Sequence, residues 1–316
     1  MSVPLIRTKN LKKYFPVGGG LLHAVDDVDI SIGKGETLGM VGESGCGKST
    51  LGRLLLRLVE PTGGEILFKG ENILGYGPGK MKELRKEMQI IFQDPFASLN
   101  PRMTVSEIIA EPIKVTGTIT NQEELLERVF DLMEIVGLAE RFVNTYPHEL
   151  DGGRRQRIGV ARALALNPEF IVCDEPVSAL DVSIQAQILN LMMDLQDEMG
   201  LTYLFITHDM SVVKHISDNI AVMYLGQCVE RAPADELFEH PSHPYTKALL
   251  DAIPVPSLKN RKKLDVIQGE VTSPIDPKPW CRFAPRCPMA APECLLLPPE
   301  LMEIGADHFV SCVLFR

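Results

Sequence analysis

Over residues 3–70 apolar positions alternate with polar ones in short blocks, and the pattern predicts strands at Leu5–Lys9, Val25–Ile32, Glu36–Val41 and Glu65–Phe68. Gly33-Lys34-Gly35 and Pro61-Thr62-Gly63-Gly64 punctuate them as turns. Met88–Phe92 reads as a further buried strand. From Thr104 to about residue 166 the apolar period changes to that of a helix, predicting helices at Thr104–Val115, Asn121–Val136 and Gly153–Leu166. Strand character returns at Phe170–Cys173, Tyr203–Ile206 and Ile220–Tyr224, with a helix at Ile184–Met199 and a short one before Ile220. Strand–helix–strand order predicts an α/β fold with a parallel sheet, interrupted by a helical insert at about 104–166. Residues 233–252 read as two short helices at the sheet edge.

After Ile253 the composition shifts. Ten of the 23 prolines lie between Pro254 and Pro299, where regular helix or sheet is disfavoured. The expected division is therefore a domain over 1–252 and an extension over 253–316. The 316 residues are 45% hydrophobic, enough for a normal core, and the net charge of −10 argues against a nucleic-acid footprint. No apolar run approaches the roughly 20 residues of a membrane helix, and Met1–Arg7 has no secretory apolar region. The expectation is a soluble, cytosolic chain able to dock on a membrane protein.

Gly42-Glu43-Ser44-Gly45-Cys46-Gly47-Lys48-Ser49 fits the spacing Gly, four residues, Gly-Lys-Ser. Glycines let successive backbone N–H groups curl around an anion. The loop lies between a predicted strand and a helical run from Thr50, which puts a phosphate at a helix N-terminus. Gly42, Ser44, Gly45, Cys46, Gly47, Lys48, Ser49 and Thr50 are thus candidate ATP-binding residues. Lys48 supplies charge to the β- and γ-phosphates, and Ser49 a hydroxyl ligand for Mg²⁺. The plainer reading is a glycine-rich turn with a chance lysine.

Holding a phosphate is not hydrolysing it, which takes further groups. Phe170–Cys173 delivers Asp174 and Glu175 to the carboxyl end of a strand, where ligands bind in open α/β sheets. Asp174 is the expected partner of Mg²⁺ and Glu175 is placed to polarise an attacking water; the competing reading is two acids opening a turn. His208 follows the next strand and could hydrogen-bond a γ-phosphate, although a lone histidine is more often a loop residue. Gln93 ends the strand Met88–Phe92 and could reach Mg²⁺ or water, or be an exposed amide.

In this order Gly42–Ser49, Gln93-Asp94-Pro95, Asp151–Arg157, Cys173–Pro176, Ser178–Asp181 and His208 resemble an ABC-transporter ATPase subunit. Phe92–Pro101, Ala163–Pro168, Asp181–Gln187 and His243–Leu249 are similar to the oligopeptide/dipeptide importer branch. The resemblance implies a P-loop ATPase with a mixed β subdomain, a RecA-like parallel core, a helical signature subdomain and a small Cys/Pro-rich C-terminal extension. It implies a motor that couples hydrolysis of Mg²⁺-bound ATP to transport at the cytoplasmic face of the membrane. Its partners would be a second ATPase subunit, two transmembrane permease subunits and an extracytoplasmic solute-binding protein, with no nucleic acid. Each ATP would lie between one phosphate loop and the other subunit's signature, with Asp181 across the interface. The adenine would stack on Phe15, with Tyr14 as second choice on the opposite strand face. Gln93 and the helical insert would face the membrane subunits. Close relatives move oligosaccharides or metals, so those cargoes are alternatives; a soluble ABC ATPase acting on nucleic acid or ribosomes is a further one, disfavoured by the acidic balance.

The family signature Leu-Ser-Gly-Gly-Gln is here Leu150-Asp151-Gly152-Gly153-Arg154. An ionised carboxylate cannot donate to a γ-phosphate as serine does. Aspartate is nonetheless a good helix N-cap, and Arg154 could neutralise it, so the site acting on the partner's ATP is either retuned or degenerate. The departure favours a heterodimer with a related ATPase.

Cys281, Cys287, Cys294 and Cys312 crowd the end of the chain. A cytosolic chain rarely keeps disulfides, and a Pro-rich segment gains from a metal staple. The tight pairs favoured by zinc are absent. The resemblance implies a four-iron four-sulfur cluster on these thiolates; zinc or no metal are the alternatives.

Overall fold

The computed structural model describes residues 3–253, 269 and 272–315, which form two compact units. Of the described residues, the first comprises 3–32, 36–74, 207–253, 269 and 272–315, and the second 33–35 and 75–206.

In the first unit, Ile6–Val17 pairs antiparallel with Gly20–Val28 and with Gly63–Phe68, and Ser31–Ile32 closes on its first residues. The sequence pattern places a single strand over Val25–Ile32, but the chain breaks after Val28. It also misses the hairpin between Leu11 and Leu22, because Lys12, Lys13 and Pro16 obscure the alternation. The same unit holds a second ladder, in which Thr37–Val41 runs parallel to Asn219–Tyr224 and the latter antiparallel to Gln227–Pro233. Thr37–Val41 is buried along its length, as expected for a strand covered on both faces. The helix Lys48–Leu55 follows it. The expected pair of short helices appears as Ala234–Glu239 and Pro244–Asp251.

The described part of the extension packs onto this unit. His308–Val310 adds to Gln227–Pro233 through the pairs Glu230↔Val310 and Arg231↔Phe309, and Met302–Gly305 pairs with it in turn. Between Pro274 and Pro299 there are only single 3₁₀ turns, Ala284–Arg286 and Pro292–Leu295, and the isolated bridge Leu22↔Ile275. Residues 254–268 and 270–271 of the expected extension lie outside the described residues.

The second unit contains a three-stranded parallel ladder. Phe170–Asp174 lies between Met88–Ile91 and Thr202–Ile206. The helices fall within two residues of expectation at each end: Val105–Thr116, Gln122–Ile135, Gly152–Leu164 and Val182–Met199. Local chemistry starts each one. Thr104 forms a capping box with Glu107, and Asn121, Asp151 and Asp181 each accept from a backbone N–H of the first turn. The charged helix Pro78–Glu87 has no clear apolar stripe and is not predicted by periodicity.

Candidate functional site

The phosphate loop belongs to the first unit. Strand Thr37–Val41 carries it, and Lys48 opens the following helix at a glycine N-cap, Gly47, with φ +109°. A Cβ at Gly47 would meet the Ala24 carbonyl at 2.0 Å, and one at Gly42 would meet the Met223 carbonyl at 2.2 Å. Both positions therefore exclude any side chain, which keeps the loop backbone free to face an anion. Lys48 is buried, and its Nζ donates to the carbonyls of Gly42 at 2.8 Å and Glu43 at 3.0 Å. The ammonium is thus held over the loop it is expected to serve. Cys46 is also buried; desolvation pushes its thiol up despite the nearby Lys48, so it is a neutral packing group.

Glu43 is anchored through its N–H, its carbonyl and its carboxylate. Its N–H donates to Tyr245 Oη at 2.9 Å, its carbonyl accepts from Lys48, and its carboxylate takes both Arg286 Nη atoms, at 2.9 and 3.0 Å. Neither Tyr245 nor Arg286 stands out in the sequence. Tyr245 lies in the His243–Leu249 run and Arg286 precedes Cys287, but neither position has a local signal of contact with the loop.

Of the two candidates for adenine stacking, Tyr14 is already engaged. Its ring stacks on His23 at 3.9 Å between centroids, and its hydroxyl donates to Asp26. Asp26 also accepts from His23 Nδ1 at 2.9 Å and from Arg282 of the extension. Burial would raise the Asp26 carboxyl, but these donors outweigh it and hold it below its usual value. Phe15 lies opposite Leu22 in the hairpin, half-buried, with Lys13 Nζ 4.8 Å above its ring. His208 precedes the helix Met210–Ile216, whose N-cap Asp209 accepts from Ser211 and Val212.

In the second unit, the fully buried strand Phe170–Asp174 ends in a buried carboxylate, Asp174. Glu175 follows with φ +47°, a left-handed conformation rare outside glycine and concentrated at functional sites. Three bonds hold its backbone: its N–H donates to the Ile206 carbonyl at 3.0 Å, and its carbonyl accepts from Ser178 Oγ at 3.1 Å and from the Ser178 N–H at 3.3 Å. Its Oε2 accepts from Gln93 Nε2 at 2.9 Å. The structure therefore joins two sequence-predicted residues that are 82 positions apart.

The signature residues lie at the start of helix Gly152–Leu164. Asp151 Oδ1 accepts from the Arg154 N–H at 2.8 Å, and Oδ2 pairs with Arg154 Nη1 at 2.8 Å. Both oxygens are occupied by the same residue, and the Arg154 guanidinium also lies 4.9 Å from the Phe142 ring centre. A Cβ at Gly153 would come within 2.7 Å of Ile184 Cγ2, so glycine is required there by the helix Val182–Met199 that Asp181 caps.

The terminal cysteines do not form a metal-ready group. Among the described residues there is no set of three or more His, Cys, Asp or Glu side chains arranged to hold a metal ion, so neither the four-iron cluster nor zinc is supported. All four are free thiols. Desolvation pushes Cys281 up to about 11 and raises Cys287 and Cys312, with a smaller contribution from neighbouring thiols, Cys294 and Cys312 acting on Cys281 and Cys287 and Cys294 acting on Cys312. Cys281 and Cys287 pack instead against the apolar cluster around Tyr224, Tyr245 and Phe283.

Residues 25–178 match the ABC transporter family, and residues 229–294 match the oligopeptide/dipeptide transporter C-terminal region. The chain is 52% identical over 321 residues to the oligopeptide transport ATP-binding protein AppF of Bacillus subtilis, covering 98% of this chain and 97% of that protein. It is 49% identical to the oligopeptide transport ATP-binding protein OppF of Escherichia coli, covering 98% and 96%. Among solved structures, the ATP-binding cassette MJ0796, a dimer in a post-hydrolysis state bound to ADP and Pi, matches with a TM-score of 0.67. That pair is 29% identical over 72% of this chain and 98% of the cassette.

Proposed function

The chain belongs to the ABC transporter family, and from that membership we propose that it is the ATP-hydrolysing motor subunit of an oligopeptide or dipeptide importer. It is an ABC-type ATPase, converting ATP and water to ADP and phosphate. No helix among the described residues is long and apolar enough to cross a membrane. The chain works at the cytoplasmic face as a peripheral subunit on two permease subunits, with an extracytoplasmic solute-binding protein delivering cargo. Residues 1–252 serve as the ATPase domain and 253–316 as its extension.

The observation that carries it is the phosphate loop, whose Gly42 and Gly47 admit no side chain and whose buried Lys48 ammonium lies over the loop carbonyls. Phe15 stacks the adenine, a contact worth roughly 1–3 kcal/mol by analogy with base stacking. Lys48 and the loop N–H groups, with Ser44, Ser49 and Thr50, hold the phosphates. The Ser49 hydroxyl and the Asp174 carboxylate are the hard oxygen donors that suit Mg²⁺, which when bound neutralises charge on the phosphates. Glu175 orients and polarises the attacking water, Gln93 holds the Glu175 carboxylate, and His208 hydrogen-bonds the γ-phosphate.

Asp151, Gly152, Gly153 and Arg154 act on the ATP of a second ATPase subunit. The Asp151 charge is already matched by Arg154 at 2.8 Å, which favours a retuned composite site over a degenerate one. A heterodimer in which the partner brings a serine signature fits this departure. Co-purification from the native host tests the assembly: two permeases and a distinct ATPase should accompany this chain, and recovery as a homodimer free of permeases would contradict it.

A further inference from the structure

A loop that binds polyphosphate gains nothing from carrying its own carboxylate, yet Glu43 lies one residue after the first loop glycine. Like charges a few ångströms apart repel substantially at the dielectric of a protein surface. Glu43 is not left bare. Arg286 takes its carboxylate in a two-point fork at 2.9 and 3.0 Å, the geometry that matches guanidinium to carboxylate.

Arg286 is rigidly placed. Its side chain is only 6% exposed, lies against the Tyr224 ring at 5.9 Å and donates to the Tyr224 hydroxyl at 3.3 Å. Its N–H bonds the carbonyl of Phe283, which is buried against Tyr224 and Tyr245 with ring centres 5.2 and 5.4 Å away. Tyr245 Oη accepts the Glu43 N–H, and the Glu43 carbonyl receives Lys48. A chain of direct contacts thus runs from the C-terminal segment through Glu43 to the phosphate-binding ammonium.

We propose that Arg286 is a positioning residue for ATP binding: it neutralises and fixes Glu43, so that the phosphate loop presents its N–H groups and Lys48 to ATP without a competing carboxylate. The C-terminal segment is in this way part of the nucleotide-binding apparatus. The inference rests on reading Gly42–Ser49 as the phosphate site.

The test is ATP affinity of the full chain, measured by calorimetry in EDTA to prevent turnover. Arg286→Ala should weaken ATP about tenfold, an effect that shrinks as salt screens the freed carboxylate. Adding Glu43→Gln to Arg286→Ala should return affinity to within about twofold of the parent, since the repulsion is removed with the charge. A double variant as weak as Arg286→Ala would show a purely structural role and overturn the proposal. So would an Arg286→Ala chain that binds ATP like the parent while Lys48→Ala abolishes binding. Parent-like binding by Lys48→Ala would overturn the phosphate-site reading instead. If Arg286→Ala does not fold, Arg286→Lys replaces it: it should weaken ATP about threefold in the parent and have no effect beside Glu43→Gln, because a single-point ammonium matches the carboxylate less well. Equal weakening in both backgrounds would overturn the proposal.

Discussion

Gln93, two residues beyond the strand Met88–Ile91, donates its side-chain amide to Glu175, the residue after the neighbouring strand Phe170–Asp174, at 2.9 Å. A hydrogen bond to a charged group contributes about 1.5–3 kcal/mol, less where both partners are exposed. Gln93→Ala should therefore lower ATP turnover of the assembled transporter about tenfold through misorientation of Glu175. ATP affinity should stay within about twofold, because the role proposed for the pair is to orient water rather than to bind phosphate. Steady-state turnover with equilibrium binding separates the two; a large loss of affinity at unchanged turnover would refute the assigned role.

Arg154 covers both oxygens of Asp151. The Arg154→Gln variant keeps the backbone cap on Oδ1 but removes the guanidinium from Oδ2, and with this carboxylate at the proposed composite site turnover should fall about tenfold, an exposed-site discount on the few kcal/mol of bare repulsion. Changing Asp151→Ser as well restores a hydroxyl donor and keeps an N-cap, so turnover should recover to or above the parent. Loss in the double variant equal to that in Arg154→Gln would show that the carboxylate is not the obstacle.

His243 caps the helix Pro244–Asp251 by accepting the Tyr245 N–H on Nδ1 at 3.0 Å, which requires a neutral ring. Burial, reinforced by Lys247, pushes its pKa down to about 3. The unfolded chain takes up this proton near pH 6.5 and the folded chain does not. The stability contributed by neutral His243 is thus complete above pH 6.5 and declines as pH falls toward 3, by up to about 1.4 kcal/mol per pH unit. The unfolding free energy from urea titrations between pH 7.5 and 5.5 should depend less on pH in His243→Asn, which keeps a capping acceptor, by about half a proton on average across that window and by nearly one proton at its acid end. An unchanged slope would mean that the ring is not buried neutral.

Glu230 is fully buried and accepts from the N–H groups of Ser242 at 2.6 Å and His243 at 2.9 Å, and pairs with His308 Nε2 at 2.8 Å. It staples the C-terminal strand His308–Val310 to the strand Gln227–Pro233 and to the start of the helix Pro244–Asp251. Removing the carboxylate strands these buried donors, so Glu230→Ala should destabilise by about 3 kcal/mol and lower the thermal midpoint by several degrees. Glu230→Gln retains one acceptor and should cost less. Thermal melts of equal midpoint for the two variants would count against the staple.

Local chemistry was readable in the sequence, and long-range pairing was not. Thr104 and Asn121 mark helix starts because a cap is made within the first turn, whereas the helix expected from Ile184 begins two residues earlier, at Val182, where Asp181 caps it. Lys48 and Asp174 stand out because a phosphate loop and a strand-end carboxylate are contiguous patterns. The strand Gln227–Pro233 is different: Glu230 and Arg231 look like loop residues until His308, 78 positions later, supplies a buried partner. Glu43 and Arg286 are 243 residues apart, and no periodicity in either segment implies their contact. The Asp151 departure was visible as a letter change, and both its capping role and its pairing with Arg154 were open to the sequence, because helix geometry brings positions three apart together.

Single-turnover hydrolysis by the assembled transporter, comparing parent with Glu175→Gln, tests the central claim most directly. The isosteric amide cannot polarise water, so the rate should fall by at least about a hundredfold while ATP binding is retained or tightened, giving a trapped ATP-bound state. A Glu175→Gln transporter that hydrolyses ATP at the parental rate would contradict the assignment of this chain as a hydrolytic motor built on Glu175.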